Sequence, residues 1–182
     1  MGKPTVLIVD DDKDLIEMFP LFLGKDFEVY TATNGREGLE AYIRESPDLL
    51  ITDHLMPELL GADLAVAVRA YQFGKSNPPK VTGNFIGLAY LLNEDPLTEE
   101  NIDLACSKAK EITSLDATVC SGYITPEHDK PIIVMTETPQ LLQDRDLNLR
   151  CMGVEILIKP LTKEELSTAA KQQISKYKAG LE

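Results

Sequence analysis

The apolar positions of this chain follow two rhythms. Residues 6–12 (VLIVDDD), 49–53 (LLITD), 132–136 (IIVMT) and 155–159 (EILIK) are short unbroken apolar runs, each ending on a polar residue. Runs of Val, Ile and Leu without alternation predict strands buried on both faces, as in a parallel sheet covered by helices. Residues 27–32 (FEVYTA) alternate and predict one further strand.

Between the runs the spacing becomes helical. Residues 14–23 place Leu15, Ile16, Phe19 and Phe22 on one face, with Asp12 or Asp14 as the cap. Pro20 lies inside this stretch and predicts a kink or an early stop. Asn34-Gly35 turns the chain into a helix over 36–45, and Ser46-Pro47 breaks it again. Residues 62–73 (ADLAVAVRAYQF), 140–152 and 163–178 complete the helices, the last starting at Thr162 with Glu164 and Glu165 behind it.

Five strand–helix units predict an α/β domain with a doubly wound five-stranded parallel sheet, provided residues 74–130 are set aside. Thr136 follows Asp53 by 83 residues, where a compact βαβ unit needs about 30. Residues 1–182 therefore read as one domain with a partly helical insertion at 74–130. Within it, residues 75–80 (KSNPPK) predict a loop and 85–92 (FIGLAYLL) an apolar segment. A helix within 96–115 is capped by Thr98, with Ile102, Ala105, Ala109 and Ile112 on one face. A segment this short cannot bury a core alone, so it needs the main domain or another chain. Its attachment points predict a place at the sheet edge opposite the strand ends that carry polar residues.

In open parallel sheets ligands bind beyond the carboxyl ends of the strands, so Asp10, Asp11, Asp53, Thr136 and Lys159 should converge. Each has an ordinary alternative: an acidic loop capping the first helix, a turn starter, a strand end, a solvated lysine. Together they form three carboxylates, one hydroxyl and one ammonium at one edge. Carboxylates this close repel unless a cation joins them, and Mg²⁺, which takes oxygen ligands and keeps several waters, suits that set. Asp53 is the candidate nucleophile toward phosphorus, Thr136 a hydrogen-bond donor to a phosphoryl oxygen, and Lys159 the group that neutralises growing charge.

The chain has 182 residues and a net charge of −12. That balance argues against direct binding to nucleic acid or an anionic membrane. No apolar stretch approaches a membrane span, and the N-terminus enters a strand without a signal-peptide pattern. A cytoplasmic protein is expected. Cys106, Cys120 and Cys151 are odd in number and irregularly spaced, which predicts reduced thiols. Gly180-Leu181-Glu182 has the look of a cloning remnant, so an output domain beyond it stays an open question.

These motifs resemble those of the response regulator receiver domains of two-component signalling, which have a flavodoxin-like fold. The resemblance covers residues 4–73 and 131–178 and rests on Asp10-Asp11, Asp53-x-x-Met56-Pro57-x-x-x-Gly61, Thr136 after its strand, and Lys159-Pro160. It implies a phosphoacceptor at Asp53, phosphorylated by a histidine kinase. It also implies Mg²⁺ held by Asp10, Asp11, Asp53 and the Leu55 backbone carbonyl, a switching role for Thr136, pairing of Lys159 with Asp53, and a cis Lys159-Pro160 peptide. Such a domain catalyses only its own phosphorylation and dephosphorylation and is not otherwise an enzyme. The implied partners are a sensor histidine kinase or phosphotransfer protein and an unidentified downstream protein, with a homodimer as a further option.

Three departures stand out. Glu137 follows Thr136 where the family has a small residue, Ile156 replaces an aromatic, and the 74–130 insertion is extra. The competing expectation is a degenerate receiver that binds proteins without phosphorylation. A haloacid-dehalogenase-type phosphatase also begins Asp-x-Asp after a strand, but Asp14 stands where that pattern needs Thr or Val. His54 is expected at the surface, pointing away from Asp53.

Overall fold

The computed structural model describes residues 2–76, 88–89, 91–94, 97–114, 129–142, 149–150 and 152–180. Its elements are β1 (Thr5–Val9), α1 (Lys13–Leu23), β2 (Glu28–Ala32), α2 (Gly35–Glu45), β3 (Leu49–Asp53), α3 (Gly61–Ser76), α4 (Glu99–Ser114), β4 (Ile132–Thr136), a 3₁₀ turn (Pro139–Leu142), β5 (Val154–Ile158) and α5 (Lys163–Ala179). The five strands pair in parallel throughout, in the order β2-β1-β3-β4-β5. The chain reverses winding direction between β1 and β3. That switch point puts Asp10, just after β1, and Asp53, the last residue of β3, beside a common crevice.

The unbroken apolar runs have a direct cause. Val6, Ile8, Ile51, Ile133 and Met135 face a core shared with Phe19 and Leu23 of α1 and Leu166, Ala170 and Ile174 of α5. Leu7, Val9, Leu50, Ile132 and Val134 face the opposite core, with Leu39 and Tyr42 of α2 and Leu64 and Val68 of α3. β1, β3 and β4 bury both faces, and a buried side chain of this size contributes about 1.5–3 kcal/mol. The run at 155–159 departs from that expectation: β5 is an edge strand, only partly buried, with Ile158 57% exposed.

The helix starts follow local chemistry. The Asp12 carboxylate accepts from the amides of Asp14 and Leu15 at 2.9 and 3.3 Å, and Asn34 Oδ1 accepts from Glu37 N at 2.8 Å. Thr162 and Glu165 form a reciprocal capping box. The early stop expected at Pro20 does not occur, because α1 runs on to Leu23. Pro20 lies on the exposed face, where water can meet the carbonyl it leaves unbonded, while Phe19 and Leu23 anchor the helix in the core.

Residues 61–72 of α3 are buried around the whole circumference of the helix. One side packs on the sheet; α4 of the 74–130 segment lies on the other, burying Ile102, Ala105, Ala109 and Ile112 in the same core. Thr98 caps α4, accepting from Asn101 N at 3.2 Å. This helix thus adds a third layer outside α3. Leu88, Ala89 and Leu92 join that core. Of the loop predicted over 75–80, Lys75 and Ser76 instead continue α3, and 77–80 lie outside the described residues. The helix expected over 140–152 is described only at its ends, as the 3₁₀ turn and residues 149–150.

Arg69 of α3 is fully buried and ties the opposite sheet edge together. It donates to the carbonyls of Met152 (2.8 Å), Lys130 (2.7 Å) and Gly153 (3.2 Å) and to Gln72 Oε1 (2.6 Å). These bonds hold the starts of β4 and β5 against α3 where the insertion rejoins the sheet.

Candidate functional site

The sheet ladder continues one residue past the strand ends. Asp10 N donates to Ala32 O (3.2 Å), His54 N to Met135 O (2.8 Å) and Lys159 N to Thr136 O (2.8 Å). Backbone thus ties Lys159 to Thr136 directly and holds Asp10 and His54 in register with the neighbouring strands.

Lys159 Nζ lies 2.6 Å from Asp53 Oδ1 and 3.0 Å from Asp10 Oδ2. The second oxygen of each carboxylate is held by a backbone amide: Leu55 N donates to Asp53 Oδ2 at 2.8 Å and Asp12 N to Asp10 Oδ1 at 3.0 Å. Both acids are oriented by an ammonium on one side and a rigid loop on the other.

Burial pushes the Asp10 carboxyl above the ordinary aspartate range, against the Asp12 amide and the Lys159 ammonium, which pull it down. Burial alone would lower the Lys159 ammonium, but its hydrogen bonds to Asp53 and Asp10 outweigh that and raise it. Lys159 is thus held as a cation.

A cavity of about 270 Å³ opens above these groups, with Thr136, Thr138 and Glu137 along its wall. Thr136 is buried, and its Oγ1 accepts from Thr138 N at 3.1 Å. Thr138 Oγ1 is buried with no hydrogen-bond partner among the described residues. Nothing in the apolar pattern singles Thr138 out; it lies two residues past the end of β4 and is brought in by the turn. Asp11 and Glu137 are exposed at the cavity wall, and Ile156 is half-buried against the core. The Lys159-Pro160 peptide is cis.

All five residues expected at the edge line this cavity, and so does Leu55. Two expectations change. His54 is 2% exposed and lines the cavity beside Asp53 rather than facing solvent. The loop folds back over it, with Gly61 N donating to His54 O at 2.9 Å, so the position beside Asp53 is roofed. The 74–130 segment is expected only at the far edge, yet its helix α4 carries Thr113 to Asp63 in the first turn of α3. That turn directly follows the Asp53 loop.

The donor set can be tested against a divalent cation. Asp10, Asp11 and Asp53 offer hard oxygens, matching Mg²⁺ in kind. Among the described residues, three acidic, His or Cys side chains are not already gathered around one point, and Lys159 stands between two of the acids. Mg²⁺ does not need such a cage, because one or two carboxylates with water and a phosphoryl oxygen satisfy it.

Residues 6–81 match the family described as the response regulator receiver domain. A 67-residue stretch is 42% identical to the sensor histidine kinase TmoS of Ectopseudomonas mendocina, covering 37% of this chain and 7% of that protein. A 69-residue stretch is 40% identical to the transcriptional regulatory protein PrrA of Mycobacterium tuberculosis, covering 37% of this chain and 30% of that protein. The chain thus spans a small part of the length of the curated relatives it matches. Among solved structures, a receiver domain protein from Methanospirillum hungatei aligns with TM-score 0.60 at 16% identity, over 98% of both chains. One from Clostridium thermocellum aligns with TM-score 0.58 at 22% identity, over 97% of this chain and 98% of that one.

Over residues 6–81 the chain is thus similar to receiver domains of two-component systems, both those within histidine kinases and those of response regulators, and its fold is that of solved receiver domains. Among the described residues, no helix is long and apolar enough to cross a membrane.

Proposed function

We propose that this domain accepts a phosphoryl group on Asp53 in a Mg²⁺-dependent reaction and thereby changes its protein contacts. The observation that carries the reading is the shared Lys159 ammonium, 2.6 Å from Asp53 and 3.0 Å from Asp10. A carboxylate so held is oriented for attack and has its charge balanced before the phosphoryl group arrives.

In the reaction an Asp53 oxygen forms a bond to phosphorus while the donor's bond to phosphorus breaks and the donor leaves with the electron pair. Lys159 neutralises charge on the phosphoryl oxygens, and the Leu55 amide holds the other Asp53 oxygen in place. Thr136 turns its hydroxyl toward the new group, and the unpartnered Thr138 hydroxyl gains an acceptor. Asp10, Asp11, Asp53 and the Leu55 carbonyl would hold Mg²⁺, which supplies charge neutralisation when bound. Hydrolysis by water returns the carboxylate, so the only chemistry catalysed is the domain's own.

The phosphoryl donor in this reading is a sensor histidine kinase or a phosphotransfer protein in the cytoplasm, and the phosphorylated face engages a downstream protein. The test is incubation with acetyl phosphate, with and without Mg²⁺, followed by intact mass. The reading requires a Mg²⁺-dependent phosphoryl increment that Asp53→Asn lacks.

A second reading, a receiver that binds partners without phosphorylation, draws on Glu137. Its exposed carboxylate lines the cavity a phosphoryl dianion must enter. If Glu137→Ala takes the label and the parent does not, the second reading holds.

A further inference from the structure

α4 is absent from the chemistry proposed above, yet it touches the element that carries it. Thr113, near the end of α4, is 7% exposed, and its hydroxyl donates to Asp63 Oδ1, in a side chain 2% exposed in the first turn of α3. The hydroxyl has one proton and two competing acceptors, the carbonyls of Ala109 (3.1 Å) and Lys110 (3.0 Å). The carboxylate is charged, and charge-assisted bonds are the stronger kind.

Asp63 stands two residues beyond Gly61, whose backbone is pressed against the acceptor residue. The Gly61 amide donates to His54 O at 2.9 Å, and a Cβ on Gly61 would lie 2.0 Å from the Asp53 carbonyl oxygen. The loop between them, residues 54–60, carries the Leu55 amide that holds Asp53 Oδ2. One end of that loop is fixed by the sheet. The other is fixed by the start of α3, and α4 grips that start from outside.

We infer that Thr113 is a positioning residue: through Asp63 and Gly61, the inserted helix sets the loop that aims the Asp53 carboxylate. The chemical consequence rests on the phosphoacceptor reading above, but the mechanical coupling does not. Misplacement of a reacting group by about 1 Å costs up to about a hundredfold in rate, and loss of one remote hydrogen bond should cost less, about tenfold.

The test uses the full chain and two readouts. Thr113→Val keeps the shape and removes the hydroxyl; Thr113→Ser keeps the hydroxyl. In Thr113→Val, hydrogen exchange of the Leu55 amide should speed up about tenfold and labelling by acetyl phosphate should slow by a similar factor. Thr113→Ser should restore both. If the parent takes no label, the phosphoacceptor reading falls while Leu55 exchange still decides the coupling. Unchanged Leu55 exchange in a folded Thr113→Val, or a Thr113→Ser that behaves like Thr113→Val, overturns the proposal. Should Thr113→Val not fold, Asp63→Ala, which removes the acceptor, replaces it: faster Leu55 exchange supports the coupling, and parent-like exchange overturns it.

Discussion

The Lys159 ammonium sits 2.6 Å from Asp53 Oδ1 although 106 residues separate them in the chain. The same ammonium reaches Asp10 at 3.0 Å, so one cation holds two acids that would otherwise repel. Lys159→Ala removes that cation from a half-buried site. Metal-free protein should lose about 1–3 kcal/mol, and excess Mg²⁺ should restore part of the loss by filling the gap between the acids. Urea unfolding in EDTA and in Mg²⁺ reads both terms; a variant as stable as the parent in EDTA would show that the contact contributes nothing.

Gly61 is required by space. A Cβ there would stand 2.0 Å from the Asp53 carbonyl oxygen and 2.9 Å from its carbon, both backbone atoms that cannot rotate away. Gly61→Ala must push α3 off β3. The expected cost is about 1–3 kcal/mol, as for overpacking elsewhere, with a weaker response of Asp53 to acetyl phosphate. Thermal unfolding together with the labelling rate checks the pair.

Arg69 gives a control at the other edge. Its fully buried guanidinium satisfies the carbonyls of Lys130, Met152 and Gly153. Arg69→Met fills the volume but removes the donor to the Met152 and Gly153 carbonyls, Gln72 Nε2 still reaching Lys130 O at 3.2 Å, at a cost of about 3 kcal/mol or more. Because the damage lies across the sheet from Asp53, the folded fraction should still label at the parent rate. Slower labelling of that fraction would mean the two edges are coupled.

Cys106 of α4 is buried in the core that α4 shares with the rest of the domain, near Arg36 and Glu40 of α2, and burial raises its thiol from 9.0 to about 11. The folded state therefore binds a proton more tightly than the unfolded state. This group's stabilising contribution is intact below pH 9.0 and is lost as pH rises through about 11. With Cys120 and Cys151 replaced by Ser, the native thiol should react with a disulfide reagent at pH 8 far more slowly than after unfolding in urea. Equal rates would place α4 off that core.

The ends of β1, β3 and β4 were legible because burial on both faces writes itself as unbroken apolar runs, and the polar residue closing each run sits at the sheet edge; β5 shows such a run although it is only partly buried. That logic reached Asp10, Asp11, Asp53, Thr136 and Lys159. It missed Thr138, whose place depends on a turn without periodic signal. It also misjudged His54, because strand alternation says which way a side chain points but not that a loop will close over it. Of the kink or early stop expected at Pro20, the stop does not occur: packing of Phe19 and Leu23 carries α1 on past it. The third layer had a readable sign in residues 62–73, too apolar for a helix with a solvated face. The direction in which the insertion runs, and so the meeting of Thr113 with Asp63, is a property of packing between distant segments that no local pattern encodes.

The central claim is that Asp53 is the phosphoacceptor, and it can be read at residue resolution. The protein is treated with acetyl phosphate and Mg²⁺, the acyl phosphate is reduced with borohydride, and the product is digested and sequenced by mass spectrometry. The account predicts conversion to homoserine at position 53 alone, dependent on Mg²⁺ and abolished by Asp53→Asn. Conversion at Asp10 or Asp11 with Asp53 untouched would contradict it.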